Sequence, residues 1–285
     1  MKKNLLILIF LLCAGLAAAQ QITHKRVHLP FSHPGVTRVR QYDVWDKDVP
    51  KAFDGFRIAF ISDTHYKSKF TRKGLASLTK MLRALQPDLL LMGGDYQEGC
   101  EYVPELMDSI ASVKPPYGID GVMGNNDYER CHDSIASIMT HLGMKVLEHQ
   151  LDTIVRDTSR IIIAGVRNPF DLVHNGVSPT LSLHPSDYVI LLTHTPDYVE
   201  DVNNANTDLA LAGHTHGGQV TLFGLYAPIV PSHYGQRFLR GLKYSTSGIP
   251  IIITNGIGTS DMKLRMFAPS EVVVVVLHPF VISMK

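Results

Sequence analysis

Eight short runs of continuous apolar residues constrain the fold of this chain more than any other feature. They occupy residues 56–61, 88–92, 119–123, 160–166, 188–193, 208–212, 250–254 and 271–277. Apolar character that is continuous rather than alternating predicts strands buried on both faces, in sheets that are covered by helices. Helix-length segments lie between several of the runs, at 70–86, 103–112, 128–142 and 196–204. The pattern therefore predicts an α/β fold.

Short polar motifs follow five of these runs directly. The motifs are Asp63-Thr64-His65, Gly93-Gly94-Asp95, Gly124-Asn125-Asn126-Asp127, the single His194, and Gly213-His214-Thr215-His216. Ligands of open α/β sheets bind beyond the carboxyl ends of the strands, so we expect the motifs to meet there. Mixed carboxylate, imidazole and amide donors suit Mn, Fe, Zn or Co better than Ca or Mg. The sequence thus predicts two divalent metal ions, a pair that can clamp a phosphoryl group during hydrolysis.

Length and composition limit the class of protein. A chain of 285 residues with 45% hydrophobic content can bury the core of one large domain or of two small ones. The formal net charge is only +1, with 19% charged residues, so we expect no nucleic-acid partner. A phosphorylated small molecule or lipid-linked substrate would be held by metal instead.

The first 19 residues are typical of a secretory signal peptide. Lys2 and Lys3 precede an apolar stretch at 5–12, and residues 17–19 are all alanine, as at a cleavage site. We therefore expect an exported protein of the periplasm or cell envelope. An uncleaved anchor is the alternative, although the stretch is shorter than the ~20 residues that span a bilayer.

Two cysteines remain after a signal peptide is removed, Cys100 and Cys131. Each follows a predicted metal motif by a few residues, so both are expected on loops at one edge of the sheet. An exported protein favours a disulfide between them. Two free thiols are the other interpretation, and the sequence leaves both open.

In this order, the motifs resemble those of the calcineurin-like metallophosphoesterase superfamily, over residues 50–278. The segments 213–220 and 255–260 are similar to the bacterial YaeI/YkuE-type phosphodiesterase branch, which is related to UDP-2,3-diacylglucosamine pyrophosphatases. The resemblance implies a four-layer α-β-β-α sandwich over residues 51–285, after a signal peptide at 1–19 and an N-terminal extension at 20–50. Alternating residues at 37–45 suggest an edge strand in this extension.

The resemblance also implies a ligand set and a reaction. The implied ligands are Asp63, His65 and His216 for one ion, Asn125, His194 and His214 for the other, and Asp95 as the bridge between them. The implied reaction is in-line attack by metal-bound hydroxide on phosphorus, without a covalent enzyme intermediate.

One residue departs from the family pattern, because Asn126 stands where a catalytic histidine is usual. Asparagine can donate a hydrogen bond to a phosphoryl oxygen but cannot deliver a proton, a form of catalysis worth roughly 10²–10⁴-fold. His132, Tyr128 and Arg130 are candidate replacements on sequence proximity alone. We expect hydrolysis of a phosphodiester or pyrophosphate, on a lipid-linked or nucleotide-sugar substrate. The alternative is a catalytically weakened module that binds metal and a phospholigand.

The turn-rich segment 214–249 is expected to form the substrate side of the site. His233 within it and Arg265 beyond it are candidate substrate contacts, and Arg265 has a structural interpretation as well. The apolar residues at 222–226 would suit a lipid chain, a peripheral membrane contact or simple packing. Asp127 is expected to cap a helix that starts at Tyr128.

Overall fold

The computed structural model describes residues 20–30, 35–167 and 176–280, and the predicted signal peptide at 1–19 lies outside the described residues. Thirteen strands are present in this part of the chain. In order they are β1 (Gln20–Val27), β2 (Arg38–Asp46), β3 (Phe56–Ile61), β4 (Leu89–Met92), β5 (Ile119–Gly121), β6 (Lys145–Val146), β7 (Gln150–Arg156), β8 (Ser159–Gly165), β9 (Val189–Leu192), β10 (Leu209–Ala212), β11 (Gly241–Tyr244), β12 (Pro250–Ile253) and β13 (Glu271–Pro279).

Five α-helices join these strands in the described residues. They are α1 (Arg72–Leu85), α2 (Val103–Ala111), α3 (Asn125–Arg130), α4 (His132–His141) and α5 (Asp197–Asp201). Short 3₁₀ turns add Lys51–Phe53, Cys100–Tyr102, Pro179–Ser182, His216–Gly218 and Gly235–Phe238. None of the described helices is long and apolar enough to cross a membrane.

The strands form two sheets. The seven-stranded sheet has the order β1-β2-β13-β3-β4-β5-β6, in which β3 to β6 run parallel and β13 is antiparallel to β3. The six-stranded sheet has the order β11-β12-β10-β9-β8-β7, with a parallel centre and an antiparallel strand at each edge.

The N-terminal segment contributes an edge strand, but not at the position expected from the sequence. The edge is β1, and the segment predicted as an edge lies in β2, paired on one side with β1 and on the other with β13. The physical reason is burial. Val39, Tyr42 and Val44 of β2 are buried, whereas most residues of β1 are exposed.

Apolar side chains fill three spaces between four layers. One cluster lies between the sheets, with Phe56, Ile58 and Phe60 of β3 packing in the same core as Ile190 and Leu211 of the second sheet. Helices α1, α2 and α4 cover the outer face of the first sheet. The predicted four-layer sandwich is confirmed, but its fourth layer is thin. The segment predicted as a helix at 196–204 forms only five helical residues in α5, assisted by the Gly235–Phe238 turn.

Helix α1 shows how the sequence dictates these layers. Thr71 caps it by accepting a hydrogen bond from the Gly74 N–H at 3.3 Å. Leu75, Leu78 and Leu82 recur at the three- and four-residue spacing of one helix face and are all buried against the sheet. Each such leucine contributes about 2 kcal/mol through burial. The helix ends where Gln86 adopts a left-handed backbone with φ of 47°.

Candidate metal centre

Backbone hydrogen bonds draw the motif loops together at one edge of both sheets. The N–H of Asp63 donates to Gly94 O at 2.9 Å, and the N–H of His65 donates to Asp95 O at 3.1 Å. The ring of His194, which follows β9 of the second sheet, contacts the loop after β4 of the first sheet, with 2.7 Å between its Nδ1 and Gly93 O. The carboxyl ends of strands in both sheets therefore face one shared site.

Two groups of side chains in this site have metal-ligand character. Asp63, His65 and His216 form one, and Asp95, His194 and His214 form the other. In each group one ligand atom per residue lies within 4.8 Å of the others.

Asp95 lies between the two groups. Its Oδ2 is 3.5 Å from His65 Nε2 and 3.4 Å from His194 Nε2, so one carboxylate reaches both. The structure thus brings together six of the seven predicted metal ligands in the grouping that the family resemblance implied. Asn125, the seventh, lines a cavity together with Asp95, His214 and His216.

The hydrogen bonds of two imidazoles fit metal binding. His65 Nδ1 lies 2.7 Å from Glu98 Oε1, and His194 Nδ1 lies 2.7 Å from Gly93 O. Because both partners are acceptors, Nδ1 is the donor in each ring, and Nε2 is the atom that would bind an ion once any proton on it is displaced. Glu98 is a supporting residue that sequence reasoning missed, since no motif marks it beyond its place three residues after Asp95.

Unpartnered atoms also fit an ion. His65 Nε2 and Asn125 Oδ1 are buried without a hydrogen-bond partner among the described residues, although buried polar atoms almost always have one. His214 Nδ1 and His194 Nε2 lie 3.2 Å apart. Two imidazole nitrogens on one tetrahedral ion would lie about 3.3 Å apart. The donors present therefore match a divalent transition metal.

The comparisons with known proteins agree with this geometry. Residues 56–218 match the calcineurin-like phosphoesterase family. The chain belongs to this family. It is 30% identical over 257 residues to the uncharacterized metallophosphoesterase YkuE of Bacillus subtilis, covering 87% of each chain. It is 27% identical over 247 residues to an uncharacterized metallophosphoesterase of Aquifex aeolicus, covering 84% of this chain and 91% of that one.

Among solved structures, the NAD nucleotidase of Haemophilus influenzae aligns with a TM-score of 0.45 and 16% identity, over 71% of this chain and 50% of that chain. Family membership and the two ligand groups together make this chain a metallophosphoesterase, a hydrolase with a divalent metal site.

The backbone of this metallophosphoesterase is strained at the ligands. Asp63, His65, Asp95, His214 and His216 all have positive φ, between 37° and 66°. Such conformations cost non-glycine residues on the order of 1–3 kcal/mol each and persist only where the surroundings enforce them. Gly124 illustrates the crowding. A Cβ at this position would lie 2.1 Å from Asp95 Oδ1, so no larger residue fits.

The aspartate and histidine residues of the site shift one another's pKa values. Burial by itself raises the pKa of Asp95, but the neighbouring His194 and His65 outweigh it and hold the pKa well below its usual range. Burial lowers the pKa of His194, yet the charge of Asp95 raises it to about 10. Burial and then the charge of His194 lower the pKa of His214 to about 3. Metal binding would displace the protons held in this cluster.

The Asp127 carboxylate holds the backbone around the metal ligands in place. Its Oδ2 accepts the N–H groups of Asp95 at 2.7 Å and Gly124 at 2.9 Å, and its Oδ1 accepts the N–H of Tyr96 at 3.0 Å. Asp127 does cap a helix, but α3 begins at Asn125 rather than at Tyr128. The carboxylate therefore acts from inside the first turn and also fixes the loop that carries Asp95.

Asn126 contacts the shared carboxylate directly. Its N–H donates to Asp95 Oδ1 at 3.0 Å and its Nδ2 donates to Asp95 Oδ2 at 3.2 Å. The residues considered as replacements for the usual histidine are placed elsewhere. The Tyr128 hydroxyl and His132 Nε2 both contact Glu148, and neither of these residues nor Arg130 lines the cavity above the ligands.

That cavity has a volume of about 440 Å³, and Ile229, Pro231 and Met262 contribute apolar side chains to its lining. Its lining comprises Asp95, Asn125, Asn126, His214, Thr215, His216, Gly218, Gln219, Ile229, Pro231, Ser260, Asp261 and Met262. Segment 214–249 thus supplies much of the wall, as expected for the substrate side, and residues 260–262 add a part that was not predicted.

The two other predicted substrate contacts do not line this cavity. His233 is exposed, and its backbone N–H donates to Asp197 Oδ2 at 2.7 Å. Arg265 Nε donates to Gly258 O at 2.8 Å, while its Nη atoms lie 3.2 Å from His216 O and His216 Nδ1. Because these contacts occupy its guanidinium, Arg265 supports a metal ligand and its loop.

A disulfide joins Cys100 to Cys131, which decides between the two interpretations that the sequence left open. Cys100 begins the 3₁₀ turn that follows Glu98, and Cys131 lies between α3 and α4. The bond therefore ties the loop after Asp95 to the helix that carries Asn125 and Asn126.

Large exposed apolar side chains lie on the two loops that carry the cavity-lining residues Ile229 and Met262, and we call this surface the apolar rim. It consists of Leu222, Phe223, Leu225, Tyr226, Ile229, Met262, Leu264, Met266 and Phe267. Its two loops are joined, since the Thr221 N–H donates to Met266 O at 2.9 Å and the Phe223 and Phe267 rings lie 5.7 Å apart. Exposed apolar patches next to a site mark ligand or membrane contacts.

Proposed function

We propose that this metallophosphoesterase uses two divalent ions, Mn, Fe or Zn, to hydrolyse a phosphodiester or pyrophosphate bond. The observation that carries the proposal is the pair of ligand groups that share the Asp95 carboxylate. Each group supplies a carboxylate and imidazoles, which suits borderline metals. Such ions, when bound, polarise a phosphoryl group and generate a nucleophile from water at neutral pH.

The surrounding residues hold and orient the reacting groups. Asp127 fixes the backbone of Asp95, and Glu98 sets the tautomer of His65. Asn126 donates to Asp95 Oδ2 and faces the cavity, where its amide also suits a phosphoryl oxygen. The role of Asn126 is therefore to position charge during the reaction.

Asn126 also favours one class of substrate. It cannot protonate a leaving group, and none of its three sequence neighbours considered above lines the cavity. Leaving groups that depart without a proton, such as a phosphate from a pyrophosphate or an acidic alcohol from a diester, suit this site best. The second candidate function is a module that binds metal and phospholigand without turnover. It is favoured by the same residue, because Asn126 cannot deliver a proton.

The apolar rim supports a lipid-linked substrate presented at a membrane surface. Phe223 is 81% exposed and Leu225 is 83% exposed, while Ile229 and Met262 extend the same apolar surface into the cavity wall. An acyl chain lying on the rim would place its attached phosphate near the metal ligands. Peripheral membrane contact through these side chains would recruit such a substrate.

Two further features support action outside the cytoplasm. Residues 1–19 have the composition of a signal peptide, and the Cys100–Cys131 disulfide is of a kind that persists in oxidising compartments. We therefore propose an exported enzyme of the periplasm or cell envelope.

The first experiment measures hydrolysis of bis-p-nitrophenyl phosphate and p-nitrophenyl phosphate with Mn²⁺ added. Asp95→Asn should lower turnover by at least about 10³-fold, because it removes the shared anionic ligand. Asp157→Asn, an isosteric change in the exposed β7–β8 turn, is the matched control. Metal-independent turnover, or equal turnover in both variants, would refute the proposal.

A series of aryl diesters with increasingly basic leaving groups then tests the role of Asn126. The rate should fall steeply along the series, and Asn126→His should flatten that dependence because it restores a proton donor. If both proteins bind metal but stay at background rate on every ester and on pyrophosphates, the binding-module alternative is correct.

The lipid-linked class is tested with a phosphodiester carried in mixed micelles. Phe223→Ser combined with Leu225→Ser should reduce hydrolysis in micelles while leaving hydrolysis of bis-p-nitrophenyl phosphate unchanged. Val177→Ser, at a site that is 72% exposed and outside the rim, is the control. Equal micellar activity in all three proteins would contradict a lipid-linked substrate.

A further inference from the structure

A second group of carboxylates lies at the opposite end of the sandwich from the metal centre. Asp46 ends β2, Asp48 follows in the next turn, and Asp208 directly precedes β10. One carboxylate oxygen from each lies within 4.8 Å of the others. Since His214 follows the other end of β10, the length of that strand separates the two sites. We call this group the distal carboxylate cluster.

Positive charge near the cluster is limited. The Lys47 ammonium contacts Asp48 Oδ2, but the Lys47 side chain is 57% exposed and extends toward solvent. Asp46 is only 5% exposed. Burial, followed by the charge of Asp48, raises the pKa of Asp46 to about 6. Burial and the charges of Asp46 and Asp48 raise the pKa of Asp208 to about 7. Among the described residues, Lys47 is the cation in contact with the cluster, and the Gln20 side chain is a neutral hydrogen-bond partner of Asp46.

A buried hydroxyl points to a missing partner at this place. Tyr188 is fully buried, and its hydroxyl has no hydrogen-bond partner in the described part of the chain. Tyr188 packs in the core between the sheets together with Val44, which lies two residues before Asp46 on β2, and it directly precedes Val189, whose N–H donates to Asp208 Oδ2 at 2.7 Å. Besides burial, the charges of Asp46 and Asp208 raise the pKa of Tyr188. Leaving a buried hydroxyl unpartnered is costly, so a group that accepts its proton or a cation that binds its oxygen is expected here.

We propose that the distal carboxylate cluster binds a hard divalent cation of the calcium class, with the Tyr188 hydroxyl facing the ion. The donors are all oxygens, which calcium prefers and which softer transition metals do not. An ion about 2.4 Å from each carboxylate would hold the three oxygens no more than about 4.8 Å apart, as they are here. Lys47 is exposed enough to move aside.

A cation at this place would link the two sheets. Asp46 belongs to β2 of the first sheet, and Asp208 directly precedes β10 of the second. The Asp208 carboxylate also accepts the Val189 N–H at 2.7 Å, which ties the cluster to the start of β9. Binding would therefore stabilise the sandwich against unfolding at the end remote from catalysis.

The test compares thermal unfolding of the Mn²⁺-loaded protein with and without CaCl₂. At a large excess over Kd, calcium should raise Tm by at least about 3 °C in the wild type and in Asp157→Asn. The shift should be absent in Asp46→Asn combined with Asp208→Asn. Asp48→Asn is a milder change in the turn and should reduce the shift. It provides the test if the double variant does not fold.

Terbium luminescence reports on the site itself. Trp45, the one tryptophan in the sequence, adjoins Asp46 and can sensitise a bound Tb³⁺ ion. The signal should disappear on addition of calcium and in Asp48→Asn. A wild type without a calcium-dependent Tm shift, or a shift that persists unchanged in the Asp variants, would overturn the proposal. In that case the carboxylates of the distal cluster would be stabilised by shared protons and not by a bound cation.

Discussion

The two ends of strand β10 carry acidic residues in opposite electrostatic settings. Beyond the end that leads to His214, imidazoles surround Asp95 and hold its pKa well below the usual range. At the start, Asp208 has carboxylate neighbours and its pKa rises to about 7. Both residues are largely buried, so burial alone does not decide their charge. The neighbours decide which buried acid is an anion ready to bind metal.

The two ends also differ in their backbone. Five ligand residues at the metal centre have positive φ, whereas Asp46, Asp48 and Asp208 do not. Strain of this kind is concentrated at functional sites and must be offset by surrounding contacts. At the metal centre those contacts are the Asp127 carboxylate, the Glu98–His65 pair and the disulfide. The catalytic end is therefore expected to lose more stability than the distal end when such a support is removed.

The largest loss should come from Asp127→Ala. This change leaves the backbone N–H groups of Asp95, Tyr96 and Gly124 without their acceptor and should cost about 4 kcal/mol of unfolding free energy. Urea denaturation of the metal-free protein measures it. Asp133→Ala, at an exposed carboxylate in the first turn of α4, is the control and should change little. Similar values for both variants would show that the Asp127 carboxylate is not a support on which the catalytic end depends.

Removing the disulfide should have the next largest effect on stability. Cys100→Ser with Cys131→Ser opens a loop with a sequence separation of 31 residues and should cost about 3–4 kcal/mol. The same urea experiment on wild-type protein under reducing conditions should give a matching loss. An unchanged midpoint in either experiment would show that the catalytic end does not depend on this bond.

Glu98→Ala should weaken metal binding without unfolding the chain. It removes the acceptor that sets the His65 tautomer, and losses of about 10–100-fold in metal affinity are typical of such changes. Glu98→Gln keeps an acceptor oxygen and should recover part of the loss. Calorimetric titration of Mn²⁺ into the metal-free proteins distinguishes the three. Equal affinities would mean that the ring of His65 is fixed by packing alone.

The smallest effect concerns an acid that, like Asp208, lacks imidazole neighbours. Burial and the charge of Asp152 raise the pKa of Asp120 to about 8. The folded chain therefore keeps a proton that the unfolded chain loses above about pH 4, so stability falls as pH rises towards 8. Asp120→Asn should flatten this slope and add on the order of 1 kcal/mol at pH 8. A slope identical to that of Asp157→Asn would disprove the shift.

The sequence determined the framework of this protein. Continuous apolar runs located strands such as β3, β9 and β10 to within a residue or two, because burial on both faces demands unbroken apolar character. The order of the polar motifs resembles that of metallophosphoesterases, and each motif follows a strand whose carboxyl end meets the others. Strands β7 and β11 were not anticipated, since they are edge strands with mixed polarity.

Only the tertiary structure decided which side chains meet across the sandwich. The Glu98–His65 pair, the use of Arg265 as a support for His216 and the distal carboxylate cluster join residues that lie 33, 49 and more than 150 positions apart. No local pattern encodes such distances. Periodicity reports how one segment is buried, whereas partners and charge states depend on how separate segments pack.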